Sequence, residues 1–597
     1  MRTSIATVCL SGGLVEKLES CAAAGFDGVE IMDADLVAAV ESPEEIRALC
    51  ARLGLTIDMY QPFRDVEGVT DDEFQDTLRR AEAKFTVMDR LGTDLMLVCS
   101  NVGTASIDDD ALAAEQLGAL ADLAATHGIR LAYEALAWGR YVNDYRHAWD
   151  IVRRADRPNL GTCLDSFHIL SRGDDPSGIE QIDGERIYFV QLADAPVLDM
   201  DLLSWSRHHR LFPGEGGFDL IGLLGHIDRA GYRGPISLEV FNDTFRQTDV
   251  SRTAAHARRS LTWLADRTSE AEHRAQDRLP AAQQARGIDF VEIAGQDLAP
   301  VDELLSQLGF SFGGRHRSKD VRLWEAGDAR LILNEQRRSE SCVLSAIGLS
   351  VDDAATASAR GELLGAPPVF RRTYAGEHEL RAVAAPDGTE VYWSDAGAEP
   401  AWLPEFVGGS LAATPLRAVV DHINIGHPWQ EFDEAVLFAG AVLGLTPEPV
   451  EEVPGPVGLV RSQVMRSADD VVRLAINVAP PTSPEPPRHV ALACDDVLAA
   501  TRHAKAAGAA LLPVPANYYD DLEARFGGTM DRALLDELRA LGVFYDRQGA
   551  GEFLHVYTQA VGGVFFELVE RRGGYDGYGA PNAPVRLGAQ RRVAAHR

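Results

Sequence analysis

Four side chains that can offer an oxygen to a metal ion each close a short apolar run in the first half of the chain. They are Glu134 in "LAYEA", Asp165 in "GTCLDSFH", Gln191 in "YFVQLAD" and Glu239 in "ISLEVFND". A single acid in such a place caps a helix or joins an ion pair as readily as it binds metal. Three carboxylates and an amide leaving four consecutive strand ends are different, because clustered carboxylates repel unless positive charge lies between them. A divalent cation meets that need, and oxygen ligands suit Mg²⁺ or Mn²⁺, with Co²⁺ also in range. His168 stands three residues after Asp165 and has an ordinary pKa near working pH. It is expected to move protons as acid or base, with Glu134 and Glu239 sharing that work. Strand seven also brings Asp194.

A second constellation lies in the final part of the chain: His422 in "VDHINIG", His489 in "PRHVALA" and Glu567 in "VFFELVE". Each falls on a strand-like segment. Two histidines and one carboxylate form the set that holds non-haem iron, and Mg²⁺ is the alternative ion for it.

These residues need elements to position them. Residues 1–266 alternate apolar runs with helical patterns, which predicts parallel βα units. Eight strands are expected: Ser4–Val8, Gly28–Met32, Thr56–Tyr60, Leu95–Cys99, Arg130–Tyr133, Leu160–Leu164, Ile187–Gln191 and Ile236–Val240. Helices such as Ala111–His127 and Phe218–Ala230 lie between them. The fold class is α/β, with a (β/α)₈ barrel whose chemistry sits at the C-terminal strand ends. The polar segment 267–287 reads as a linker. From Ile288 to residue 597 an α+β domain is expected, with helices at Asp302–Leu308, Phe432–Val442 and Val497–Gly508. "FVEIAG", "AIGLSVDD", "DHINIG" and "HVALACDD" look like opening strands of repeated units, closed by "TEVYWSD" and "GVFFELVE". Two similar halves follow, about 288–407 and 415–597, split near Gly408–Thr414.

Composition narrows the partners. The 597 residues carry a formal charge of -33, which repels nucleic acid and anionic lipid. A hydrophobic share of 46% is enough for packed cores. Seven scattered cysteines without a CxxC pair fit a reducing cytoplasm rather than a disulfide framework. Neither a signal peptide nor a membrane span is expected. The partners are a small-molecule substrate and, in a homo-oligomer, further copies of the chain.

The first domain resembles the xylose isomerase-like, sugar-phosphate isomerase/epimerase barrels. Within them it resembles bacterial 3-dehydroshikimate dehydratases fused to a domain like 4-hydroxyphenylpyruvate dioxygenase. "MRTSIATVCLSG", "YQPFRDVEGV", "CSNVGTA", "YEALAWGRYVND", "CLDSFHILSRG", "VQLADAP", "SWSRHHRLFPGEG" and "ISLEVFND" carry this likeness, in order. The resemblance implies that Glu134, Asp165, Gln191 and Glu239 are the metal ligands, with Gln191 where many relatives have histidine. It implies metal-dependent dehydration of 3-dehydroshikimate to protocatechuate through an enediolate, in quinate and aromatic catabolism. The substrate is an anion, so Arg64 in "QPFRD" and Arg210 in "SRHHR" are candidates for its carboxylate. Ser206, His208 and His209 are weaker candidates, and Tyr133 and Trp138 are expected as walls. The second domain resembles the vicinal-oxygen-chelate fold of the dioxygenases, including the tail "GYDGYGAPN". It departs from them across Leu474–His489, which keeps Asn477 but lacks the Asn-Glu-Pro turn and the glutamines. Ser462 and Gln463 retain part of a polar pocket. The alternatives are a sugar or keto-sugar isomerase on the same barrel, a dioxygenase in the second domain, or a second domain serving only binding or assembly.

Overall fold

Eight parallel strands close on themselves in sequence order, and the first pairs with the last. They are β1 (Thr3–Ala6), β2 (Gly28–Met32), β3 (Thr56–Phe63), β4 (Leu95–Cys99), β5 (Arg130–Glu134), β6 (Leu160–Asp165), β7 (Ile187–Leu192) and β8 (Ile236–Leu238). The computed structural model describes residues 1–275, 278–336, 341–410, 415–456, 458–478 and 488–595. The expected split near Gly408–Thr414 and the stretch Leu474–His489 fall partly outside the described residues. The chain divides into two compact units, Met1–Leu279 and Pro280–Arg597. Among the described residues, no helix is long and apolar enough to cross a membrane.

β2 and β4 have the bounds expected from sequence, and the other strands differ from that reading by one to three residues. β1 ends at Ala6 because Thr7–Cys9 turns into a 3-10 helix. β8 ends at Leu238, so Glu239 lies one residue beyond its strand. The last barrel helix, Val250–Ala271, runs five residues into the segment read as a linker. Its Leu261, Leu264, Thr268 and Ser269 are buried, which keeps the helix intact past residue 266.

The barrel lumen is packed. Met59, Leu95, Leu97, Ala132, Cys163 and Phe189 form an apolar plug inside the strands. Above it, polar side chains emerge at the C-terminal rim, as expected for this architecture. Two capping aspartates start helices there. Asp144 accepts from the N–H groups of Arg146 and His147, and Asp165 from those of Phe167 and His168. Each cap satisfies backbone donors that a helix start leaves open.

The second unit repeats one four-strand pattern. Gly287–Ala294, Ala329–Asn334, Val343–Val351 and Glu390–Asp395 pair as parallel, antiparallel and parallel neighbours. Ala418–His427, Arg473–Val478, Arg488–Cys494 and Val564–Arg572 pair the same way. The registers match as well. Glu292, Ala346 and Glu390 form one cross-strand row in the first half. His422, Ala491 and Glu567 form the equivalent row in the second. Two residues before the central alanine stand Leu344 and His489 respectively.

In the first half, Arg371 spans the row. Its guanidinium donates to both oxygens of Glu292 at 2.7 Å and to Glu390 Oε2 at 2.9 Å. Arg371 therefore holds the buried Glu292 carboxyl below its usual range, although burial alone would raise it. Removing one partner of a buried pair leaves an uncompensated charge. Arg371→Met is expected to destabilise this unit by about 3 kcal/mol near neutral pH. The deficit should shrink toward pH 4, because a protonated Glu292 needs no counter-charge. Denaturant melts of wild type and variant at both pH values check this, and a pH-independent deficit would rule it out.

Candidate metal centres at the barrel mouth and in the second unit

Glu134 ends β5 and Asp165 ends β6, so both carboxylates reach the rim from adjacent strands. Both are about 2% exposed, Glu239 about 5% and Gln191 fully buried. Asp165 divides its oxygens. Oδ1 caps the short helix Ser166–Leu170, while Oδ2 faces the site. One turn along that helix, His168 Nε2 lies 3.8 Å from Asp165 Oδ2 and 3.9 Å from Glu134 Oε1. The carboxylates of Glu134 and Asp165 and the ring of His168 thus form a group tight enough to hold an ion.

The electrostatics agree. Burial raises the Glu134 carboxyl well above its usual value, and the nearby Glu239 and Asp165 raise it further. Burial likewise pushes Glu239 up to about 7, against the pull of Arg210. Asp165 stays below its usual value because Arg210 and His168 outweigh its burial. Among the described residues Glu134 Oε1 receives no hydrogen bond. Its other oxygen accepts only from the Cys99 thiol, at 3.4 Å. A buried carboxylate oxygen without a donor, beside two more carboxylates, fits a divalent cation.

Arg210 and Ser206 line the rim pocket, and the Arg210 guanidinium is engaged by its neighbours. It is buried and donates to Asp165 Oδ2 at 2.8 Å, to Glu239 Oε2 at 3.1 Å and to Ser206 Oγ at 2.9 Å. Here it is a counter-charge for the cluster, and Ser206 holds it in place. Arg64 reaches the same pocket, which is also lined by Trp138, His168, Arg207 and Phe241. Arg207 was missed in the sequence, although it precedes Arg210 by one helical turn. It stands at the rim over the Phe241 ring, 5.1 Å from its centroid. Burial and the neighbouring Arg64 and Arg210 lower its pKa, against the pull of Glu239. Trp138 meets His168 edge-on at 5.0 Å, whereas Tyr133 turns away and donates to Glu67. His208 bonds Asp243 at the surface, and His209 is also exposed. Asp194 works structurally: it accepts from the N–H groups of Gly214 and Phe218, pinning the loop that carries Arg210. Gly216 must lack a side chain there, since a Cβ would lie 2.2 Å from Asp194 Oδ1.

In the second unit, His422 Nε2, His489 Nε2 and Glu567 Oε2 lie 3.2–3.3 Å from one another. All three residues are buried. His422 Nδ1 faces Asp421 Oδ1 at 2.8 Å, which puts the ring proton there and the lone pair of Nε2 into the triangle. Asp421 is itself clamped by Arg571. Glu567 Oε1 is held by His555 at 2.7 Å, and Asn582 of the C-terminal tail donates to the far side of that ring. Three acceptors converge with Glu567 Oε2 lacking a hydrogen bond among the described residues, which again fits a cation. Burial lowers the His489 pKa to about 4, so its ring is neutral and able to ligate. Gln463 donates one amide N–H to the Glu448 carbonyl. Ser462 pairs opposite Asn477, and the Asn477 Oδ1 has no partner among the described residues.

The closed barrel with acids at its rim and the repeated sheets with a two-histidine, one-carboxylate row define a class: metal-dependent barrel enzymes joined to a vicinal-oxygen-chelate unit. Comparisons agree. Residues 18–267 match the xylose isomerase-like TIM barrel family. Residues 281–400 match the N-terminal domain of hydroxyphenylpyruvate dioxygenase, and 420–549 the glyoxalase/bleomycin resistance protein/dioxygenase superfamily. A 3-dehydroshikimate dehydratase of Pseudomonas aeruginosa is 45% identical over 99% of this chain and 98% of its own. That of Pseudomonas putida is 41% identical over the same shares. A solved xylose isomerase-like TIM barrel/4-hydroxyphenylpyruvate dioxygenase fusion protein superposes with a TM-score of 0.87, at 41% identity and 99% coverage of both chains. The chain belongs to the family of two-domain 3-dehydroshikimate dehydratases, and its folds imply divalent metal binding.

A metal ion would compete with protons for Glu239. Its raised pKa means that, without metal, the folded state prefers the neutral acid. That contribution to stability is complete below about pH 4.5 and is lost as pH rises through about 7. Metal-stripped protein should therefore lose barrel stability over that window, and Mn²⁺ should restore it, binding more tightly as pH rises. Thermal melts against pH with and without Mn²⁺ give the answer; parallel curves would contradict it.

Proposed function

We propose that this chain is a lyase that dehydrates 3-dehydroshikimate to protocatechuate at the barrel mouth. The observation that carries this reading is the buried cluster of Glu134, Asp165, His168 and Glu239 opening on a pocket edged by Arg64 and Arg207. Glu134, Asp165, Gln191 and Glu239 would hold Mg²⁺, Mn²⁺ or Co²⁺. When bound, the cation acts as a Lewis acid toward a ketone oxygen and acidifies the neighbouring C–H. Arg64 and Arg207 bind the substrate carboxylate, since guanidinium groups match its two oxygens. Arg210 keeps Asp165 charged and orients Glu239.

The Ala137 N–H donates to His168 Nδ1 at 3.1 Å, and this shorter contact, rather than the 3.4 Å approach of Arg210 Nη2 to Nε2, places the proton of the neutral ring on Nε2. Burial drives the His168 pKa down to about 3, which keeps the ring neutral. The neutral His168 therefore hydrogen-bonds the departing hydroxyl through its Nε2–H, while a carboxylate of the cluster takes the ring proton of the substrate and returns it to that hydroxyl, which leaves as water. Loss of one water, followed by enolisation, yields the aromatic catechol. A catechol band growing when protein, 3-dehydroshikimate and Mn²⁺ are mixed, and absent with EDTA, tests the reading. Its absence under every metal would transfer the barrel to keto-sugar isomerisation. Turnover of His168→Ala is expected to drop by about 10²- to 10⁴-fold with metal retained. Glu134→Ala should lose both metal and turnover. Arg207→Ala should raise KM by roughly tenfold, the worth of one charge-assisted hydrogen bond.

In the second unit, His422, His489 and Glu567 would hold Fe²⁺ or Mg²⁺. The acid cluster opening on a pocket edged by arginines favours the barrel as the seat of dehydration. Seven free cysteines support a cytoplasmic setting.

A further inference from the structure

We propose that Glu30 is a positioning residue: it decides which end of the Gln191 amide faces the metal site. The inference rests on Gln191 being a ligand, as in the proposed function. A glutamine is a two-ended ligand. Its oxygen can bind a cation, while its NH₂ group can only donate and would repel one. The amide must therefore be turned one way, and something must hold it there.

Glu30 lies in β2, the one acid in "GVEIM", and is fully buried in the lumen. Its Oε2 accepts from Gln191 Nε2 at 2.7 Å and from Gln61 Nε2 at 2.8 Å. Its Oε1 accepts from the Ser237 hydroxyl. A carboxylate oxygen engaged this way offers only lone pairs, so the flipped amide would set two acceptors against each other at hydrogen-bond distance. On the other side the Cys163 thiol lies 3.4 Å from Gln191 Oε1, which marks that end as the acceptor. The oxygen is thus the end left for the metal. The arrangement does not depend on the charge of Glu30. If the acid is protonated, the proton sits on Oε1 toward Ser237, and Oε2 still accepts both amides.

This predicts a difference between two substitutions. Glu30→Leu removes the acceptor and frees the amide to turn. Glu30→Gln keeps it, because the new carbonyl can take both N–H groups while its NH₂ meets the Ser237 oxygen. The test is Mn²⁺ titration calorimetry on the full chain, first stripped of metal. Gln191→Ala identifies the barrel transition as the one it removes or weakens. Glu30→Leu should weaken that transition by about tenfold or more, and Glu30→Gln should stay within about threefold of wild type. Equal loss in both variants would show that charge matters rather than orientation, and no loss in Glu30→Leu would remove Glu30 from the site. Either result leaves Gln191 a ligand. If Gln191→Ala changes no transition, the ligand reading falls and takes this inference with it. Should Glu30→Leu fail to fold, the double variant with Gln191→Glu carries the test. A carboxylate at 191 shows an oxygen either way, so that variant must bind Mn²⁺ as tightly as wild type, and weaker binding overturns the proposal.

Discussion

Three carboxylates packed at the rim of an apolar barrel cannot all stay ionised without a positive charge among them. Much of the barrel rim follows from that constraint. Strand order brings Glu134, Asp165 and Glu239 together, and burial removes the water that would screen them. Arg210 answers part of the repulsion through Asp165 and Glu239. The remaining oxygen of Glu134 is where a cation adds most. The loop that delivers Arg210 is in turn fixed by Asp194, whose close approach to Gly216 excludes any side chain there.

The same economy of atoms recurs in Asp165. One oxygen starts a helix and the other belongs to the site, so the cap also sets the distance to His168. Capping and metal binding are competing explanations when only the sequence is considered. In the folded chain they are two faces of one residue.

The barrel was legible because eight apolar runs at βα spacing admit few other closures, and because the acids fell at their ends. The two halves of the second unit were legible from repeated strand openings. What sequence spacing could not show is what each side chain touches. Arg210 and Arg64 looked equivalent as guanidinium groups, and both line the pocket, yet Arg210 is buried among carboxylates. Arg207 was overlooked beside them because exposure is a tertiary property. Glu30 had a visible signal, a lone acid inside an apolar strand, but its partners Gln61, Gln191 and Ser237 come from three other strands. The linker boundary shifted because the final helix buries residues past 266, a gain that polar composition hides.

The two halves of the second unit solve one problem by different means. At the matched row, the second half presents two imidazoles and a carboxylate, whereas the first presents two carboxylates with Arg371 lying across them. Leu344 occupies the place of His489, so the first half lacks a third ligand. Its positive charge is covalently part of the chain and cannot be chelated, exchanged or outcompeted. One lobe would therefore be indifferent to metal supply, while a cation held by its twin could be withdrawn. Starving the protein of metal would loosen this unit from one side only.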